Sequence, residues 1–132
     1  MKKISHIGIA VSNIEESNNL FSKILGVNYT TEFVDSEGVI TSFFKIGDSN
    51  LELVASNSEE SAIAKYLTKN KEGVHHIAFD VDDIKSEIQR LKKEGVRVLN
   101  EVPKIGAGKK LICFLHPKDT NGVLIELCQK ID

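Results

Sequence analysis

The sequence predicts an α+β fold of two tandem βαβββ modules, whose strands form a curved mixed sheet, a half-barrel, around a metal-binding cleft. Three observations lead there. The segment His6-Ile-Gly-Ile-Ala-Val11 recurs seventy residues later as His76-Ile-Ala-Phe-Asp-Val81, and Ile14 recurs in the same register as Ile84. Leu51-Glu52-Leu53 recurs as Ile125-Glu126-Leu127, the offset having grown to 126 − 52 = 74 through extra loop residues in the second copy. Each copy also runs through the same order of signals, an alternating segment, a helical stripe closed by glycine, and three more strand-like runs.

In the first copy, residues 4–11 alternate as a strand, with Ile7, Ile9 and Val11 on one face and His6, Gly8 and Ala10 on the other. Ser12 or Asn13 then caps a helix whose stripe is Ile14, Leu20, Phe21, Ile24 and Leu25, and Gly26 ends it. Strands are expected over 27–34, 39–46 and 50–55, separated by Glu37-Gly38 and Gly47-Asp48-Ser49 turns. The polar stretch 56–73 carries Ile63, Tyr66 and Leu67 at helical spacing and reads as a linker with a short helix. The second copy opens with a strand over 74–81. Asp82 or Asp83 caps a helix bearing Ile84, Ile88 and Leu91, closed by Gly95, and strands follow at about 96–100, 110–115 and 122–128. Pro103 to Lys110 reads as a flexible, glycine-containing loop with the composition of a lid. It lacks the Gly-Lys-Ser/Thr ending of a phosphate-binding loop. The chain as a whole, 1–132, is expected to be one domain, with modules at about 4–55 and 74–129 joined by the linker.

Composition narrows the functions. With 132 residues and 41% hydrophobic content the chain is long enough to bury a substantial core. Its apolar runs are too short to span a bilayer, and Met-Lys-Lys-Ile-Ser leads into a strand without an apolar leader, so a cytoplasmic location is expected. A net charge of −2 argues against a nucleic-acid partner. Only Arg90 and Arg97 are arginines, so bidentate recognition of carboxylates or phosphates has few candidates. Cys113 and Cys128 lie in apolar runs and read as buried, reduced thiols outside any mechanism.

The duplicated polar residues carry the chemistry. Imidazole and carboxylate donors suit zinc, iron, cobalt, nickel or manganese, and four such ligands leave positions open for a Lewis-acid catalyst. His6, Glu52, His76 and Glu126 are the candidate ligands, each in a strand interior and each glutamate flanked by aliphatic residues. A lone strand histidine is more often structural, but recurrence at matching places in two copies favours a shared metal. His75 falls on the apolar face with Ile77 and Phe79 and reads as a packing residue, while His116 lies in a loop and is undecided.

These strings resemble the vicinal oxygen chelate superfamily and, within it, the methylmalonyl-CoA epimerase family. The resemblance spans nearly the whole chain and is carried by Ser5-His-Ile-Gly-Ile-Ala-Val11, Gly73-Val-His-His-Ile-Ala-Phe79, Val81-Asp-Asp-Ile84, Lys104-Ile-Gly-Ala-Gly108, Phe114-Leu-His-Pro-Lys118 and Gly122-Val-Leu-Ile-Glu-Leu127. The His116-Pro117-Lys118 turn is similar to the epimerase form rather than to the Asp-Pro-Asp-Gly type of turn of glyoxalase I. The resemblance implies an isomerase that inverts C2 of methylmalonyl-CoA by proton transfer, with a divalent cobalt, zinc, manganese or nickel ion stabilising the enolate. It implies His6, His76 and Glu126 as ligands and Glu52 in the fourth position, directly or through water. Glu126 is implied as one base. The second base falls at Glu37, or in another register at Ser36, with a solvated turn carboxylate as the alternative reading of Glu37. Lys104, Lys109, Lys110 and His116 are candidates for the acyl-CoA, although a lysine run is commonly solvated surface. The expected partners are an acyl-CoA substrate and a second copy of the chain, without nucleic acid or membrane. Glyoxalase I, whose ligand set is also His/Glu/His/Glu, is the alternative activity, and a non-catalytic member that binds a small ligand is the third. The shortage of arginine weighs against glutathione and its two carboxylates.

Overall fold

The computed structural model describes residues 1–131, and the βαβββ order holds in both copies. Two compact units are formed, one by residues 7–75 and the other by residues 1–6 together with those from 76 onward. Strand β1 (Lys3–Ala10) runs through the boundary, so its first half, with His6, belongs to the unit of the second copy.

In the unit 7–75 the strand order is β2-β3-β4-β1, with β2 at Tyr29–Val34, β3 at Val39–Ile46 and β4 at Ser49–Ser56. Helix α1 (Ile14–Leu25) starts where Asn13 Oδ1 accepts the Glu16 N–H at 3.0 Å, which settles the capping residue. It stops at Gly26, whose φ of 69° lets its N–H reach back to the Ser22 carbonyl. The core gathers Val11, Phe44, Leu53 and Ala55, with Ile9, Ile14, Phe21 and Leu25 packed against them. The linker folds as expected into a short helix, α2 (Ala62–Lys69), capped by Ser61. His75 stacks edge-on to Tyr66 with ring centroids 4.8 Å apart, and burial lowers its pKa.

The other unit has the order β1-β5-β8-β7-β6, where β5 is Gly73–Asp80, β6 Lys104–Gly106, β7 Lys110–Phe114 and β8 Ile125–Lys130. β5 and β8 are parallel, whereas β7 is antiparallel to β8 and to β6. Helix α3 (Ile84–Lys93), capped by Asp83, buries Ile84, Ile88 and Leu91 against Val81, Cys113, Leu115 and Leu127. Leu127 faces this core. Its neighbours Glu126 and Cys128 therefore project from the opposite face of β8.

Three expectations need correction. Residues 96–100 make a single bridge, Val98 to Leu115, rather than a strand. Asn100 explains the break, because its side chain replaces a ladder: Nδ2 donates to the Val102 and Ile112 carbonyls, and Oδ1 accepts the Phe114 N–H at 3.0 Å. The supposed flexible loop 103–110 instead contains β6 and the first residue of β7. A Cβ on Gly106 would lie 2.6 Å from Ile112 Cδ1, so glycine there permits the close hairpin. The last strand begins at 125, not 122, because Gly122 adopts a φ of 82° and its N–H closes a turn on the Pro117 carbonyl.

Candidate active site

Three of the expected ligands meet in one unit. His6 stands on β1, His76 on β5 and Glu126 on β8, all within strands whose backbone ladders hold their side chains in fixed directions. The two Nε2 atoms lie 3.1 Å apart with their rings nearly perpendicular. Glu126 offers one oxygen to each imidazole, Oε2 at 3.5 Å from His6 and Oε1 at 3.8 Å from His76. Phe114, opposite Glu126 on β7, presents its ring edge-on to His76.

All three residues are buried. Burial, followed by the neighbouring His76 and the Lys110 charge, pushes the His6 pKa down to about 3, so its imidazole is neutral at physiological pH and retains a lone pair. Two Nε2 atoms at 3.1 Å with a carboxylate beside them form a donor set that a shared cation satisfies. The residues therefore fit a divalent metal.

The structure adds Cys128. One ligand atom from each of His6, Glu126 and Cys128 falls within 4.8 Å of the others. Burial raises the Cys128 thiol to about 12, and its S–H donates to Asp80 Oδ1 at 3.4 Å. By sequence this cysteine falls in an apolar run, outside any mechanism. Its place two residues after Glu126, hence on the same strand face, was the available signal. Cys113 is also a free, buried thiol, but it faces Leu127 in the core behind the sheet.

The remaining candidates are spread over both units. Glu52 belongs to the unit 7–75, where it is buried in β4 opposite Phe43. Glu37, in the same unit, ends the 3-10 turn Asp35–Glu37. Lys104 opens β6, and Lys109 occupies the hairpin turn with a φ of 55°. Lys110 turns inward, its Nζ 2.9 Å from Ser5 Oγ. His116 Nδ1 accepts the Lys118 N–H at 3.2 Å and so caps the turn that precedes β8.

The profile of the glyoxalase/bleomycin resistance protein/dioxygenase superfamily matches residues 5–114. The chain belongs to this superfamily. Among its members, the mitochondrial methylmalonyl-CoA epimerase of Dictyostelium discoideum is 39% identical over 97% of this chain and 78% of its own length. The human mitochondrial methylmalonyl-CoA epimerase is 40% identical over 96% of this chain and 73% of its own. A variant of the Streptomyces coelicolor methylmalonyl-CoA epimerase, solved with 2-nitronate-propionyl-CoA, superimposes with a TM-score of 0.94 at 38% identity, covering 98% of this chain and 95% of that one. The superfamily fold accounts for the expected α+β class.

Proposed function

We propose that the protein epimerises methylmalonyl-CoA, removing the C2 proton from one face and returning a proton to the other. The convergence of His6, His76 and Glu126 carries this reading, because it occurs in a chain similar over nearly its full length to methylmalonyl-CoA epimerases. A divalent cation held by these residues would supply Lewis-acid stabilisation for the negative charge that builds on substrate oxygens as the proton leaves. Cobalt, zinc, manganese and nickel all suit the donors.

The chain's own residues do the proton work. Glu126, as carboxylate, takes the C2 proton on one face, and a second acid, assigned to Glu37 from its place in the sequence, donates one on the other. Proton exchange with solvent resets both groups. Glu52 is assigned as an additional ligand, and Lys104 and Lys109 to the acyl-CoA phosphates, on sequence pattern alone.

Metal-loaded protein in deuterated water should exchange and invert C2 of either methylmalonyl-CoA epimer, and should leave the glutathione adduct of methylglyoxal unconverted. Turnover of that adduct without exchange at C2 of methylmalonyl-CoA would move the assignment to glyoxalase I.

A further inference from the structure

Behind His6 lies a polar cluster that the proposed reaction does not use. Ser5 is buried, and its Oγ stands 3.1 Å from His6 Nδ1, the ring nitrogen remote from His76 and Glu126. Lys110 Nζ donates to the same oxygen at 2.9 Å. Asp80, only 5% exposed, lies 3.8 Å from Lys110 through Oδ1 and 3.9 Å from Lys3 through Oδ2, and it also accepts the Cys128 thiol. Ser5, Asp80, Lys110 and Cys128 come from β1, β5, β7 and β8, so four strands build the cluster. Removing an ammonium and a carboxylate from water is costly, so the pair is held here by the surrounding strands rather than by its own attraction alone.

We propose that Ser5, anchored by Lys110 and Asp80, is a positioning residue for His6, its oxygen accepting the His6 Nδ1–H so that the Nε2 lone pair is turned toward His76 and Glu126. An ammonium can only donate, so Lys110 holds the Ser5 oxygen in place by occupying one of its lone pairs, and the imidazole N–H takes the other. The opposite tautomer, with the serine hydroxyl donating to Nδ1, would put a proton on Nε2 and remove that nitrogen as a ligand. Such a partner on the remote nitrogen is the usual device that orients a metal-bound imidazole. Lys110 thereby acts through Ser5 and His6 rather than on the acyl-CoA. This inference rests on the metal reading of the proposed function.

The test uses the full chain with two probes, Co²⁺ affinity by competition with a chelator, and long-range ¹H–¹⁵N spectra of the Zn²⁺-loaded protein, which report which nitrogen of His6 carries the proton. The parent should show Nδ1–H. Ser5→Ala should weaken Co²⁺ binding by about ten- to a hundredfold, the scale expected for losing such a partner, and Ser5→Thr, which keeps the hydroxyl, should recover most of it. Lys110→Met, which keeps the reach of the side chain but removes the ammonium, should weaken Co²⁺ binding in the same direction while leaving KM for the acyl-CoA nearly unchanged. Parent-like Co²⁺ affinity in both Ser5→Ala and Lys110→Met overturns the proposal, as does a raised acyl-CoA KM in Lys110→Met with intact Co²⁺ binding. Failure of the parent itself to bind Co²⁺ would instead overturn the metal reading, and this inference with it.

Discussion

The two copies place different residues at one helix position. Ile88 in α3 is 2% exposed and packs among Ile84, Leu91 and Leu127. Seventy residues earlier stands Asn18 in α1, 5% exposed, and its Oδ1 is buried with no hydrogen-bond partner among the described residues. The flanking positions keep their apolar character, Ile14 matching Ile84 and Phe21 matching Leu91. The segments after the helices differ as well. In the second copy Arg97 grips Asp119 with its guanidinium and backbone N–H, whereas Val27, at the corresponding place in the first, accepts the Ser22 hydroxyl on its carbonyl. The strand-borne histidine and glutamate recur unchanged while the supporting helix and turn diverge. Under the proposed metal reading, a ligand has to match a cation in atom type and direction, whereas a packing position only has to fill space and satisfy its polar atoms.

The largest test of this contrast sets one glutamate of each copy against the other. Glu126→Gln should lower bound metal and turnover together. Glu37→Gln should retain metal while inversion slows by about 10² to 10⁴-fold, as for loss of a general base, with deuterium wash-in surviving for one epimer. Inversion at the parent rate in Glu37→Gln would shift the second base to Ser36, a water or another acid.

A smaller effect is expected from exchanging the helix residues. Ile88→Asn should destabilise by about 3–5 kcal/mol in urea titrations, since it removes buried apolar contacts and strands an amide. Asn18→Leu, which keeps the branched heavy-atom skeleton, should stabilise by about 1–3 kcal/mol by removing an unsatisfied carbonyl oxygen where the site takes the bulkier methyl groups. If Asn18→Leu destabilises instead, the amide has a use in the folded protein that packing does not reveal.

The smallest effect concerns the tether after α3. Hydrogen bonds from Arg97 hold the Asp119 carboxyl well below the usual carboxylate range. A group depressed on folding contributes stability above its unfolded pKa of about 4 and loses that contribution as pH falls through and below it. The melting temperatures of the parent and Asp119→Asn should therefore differ at neutral pH and converge in acid. A gap that stays constant from neutral to strongly acidic pH would mean that the ion pair adds nothing.

Much of the architecture was legible because its signals are local. Alternation in 4–11 and 74–81, the cap pairs Ser12/Asn13 and Asp82/Asp83, and Gly26 and Gly95 act within a few residues, and the first strand and helix of each copy formed within one or two residues of their expected bounds. The errors came where a distant group intervened. Asn100 interrupts a strand by bonding to Phe114 and Ile112, and Gly106 becomes part of a strand because it fits beneath the Ile112 side chain.

By itself the sequence determined the duplication, the element order, the superfamily resemblance and the residue types able to hold a cation, because periodicity and recurrence can be counted along a chain. Only the tertiary structure decided that His6, His76 and Glu126 converge within 4 Å, that Cys128 lies beside them, and that Lys110, a candidate for the acyl-CoA, turns onto Ser5. The physical reason is distance along the chain. Ser5 and Lys110 are separated by 105 residues, and no local propensity encodes a hydrogen bond made only when four strands assemble into one sheet.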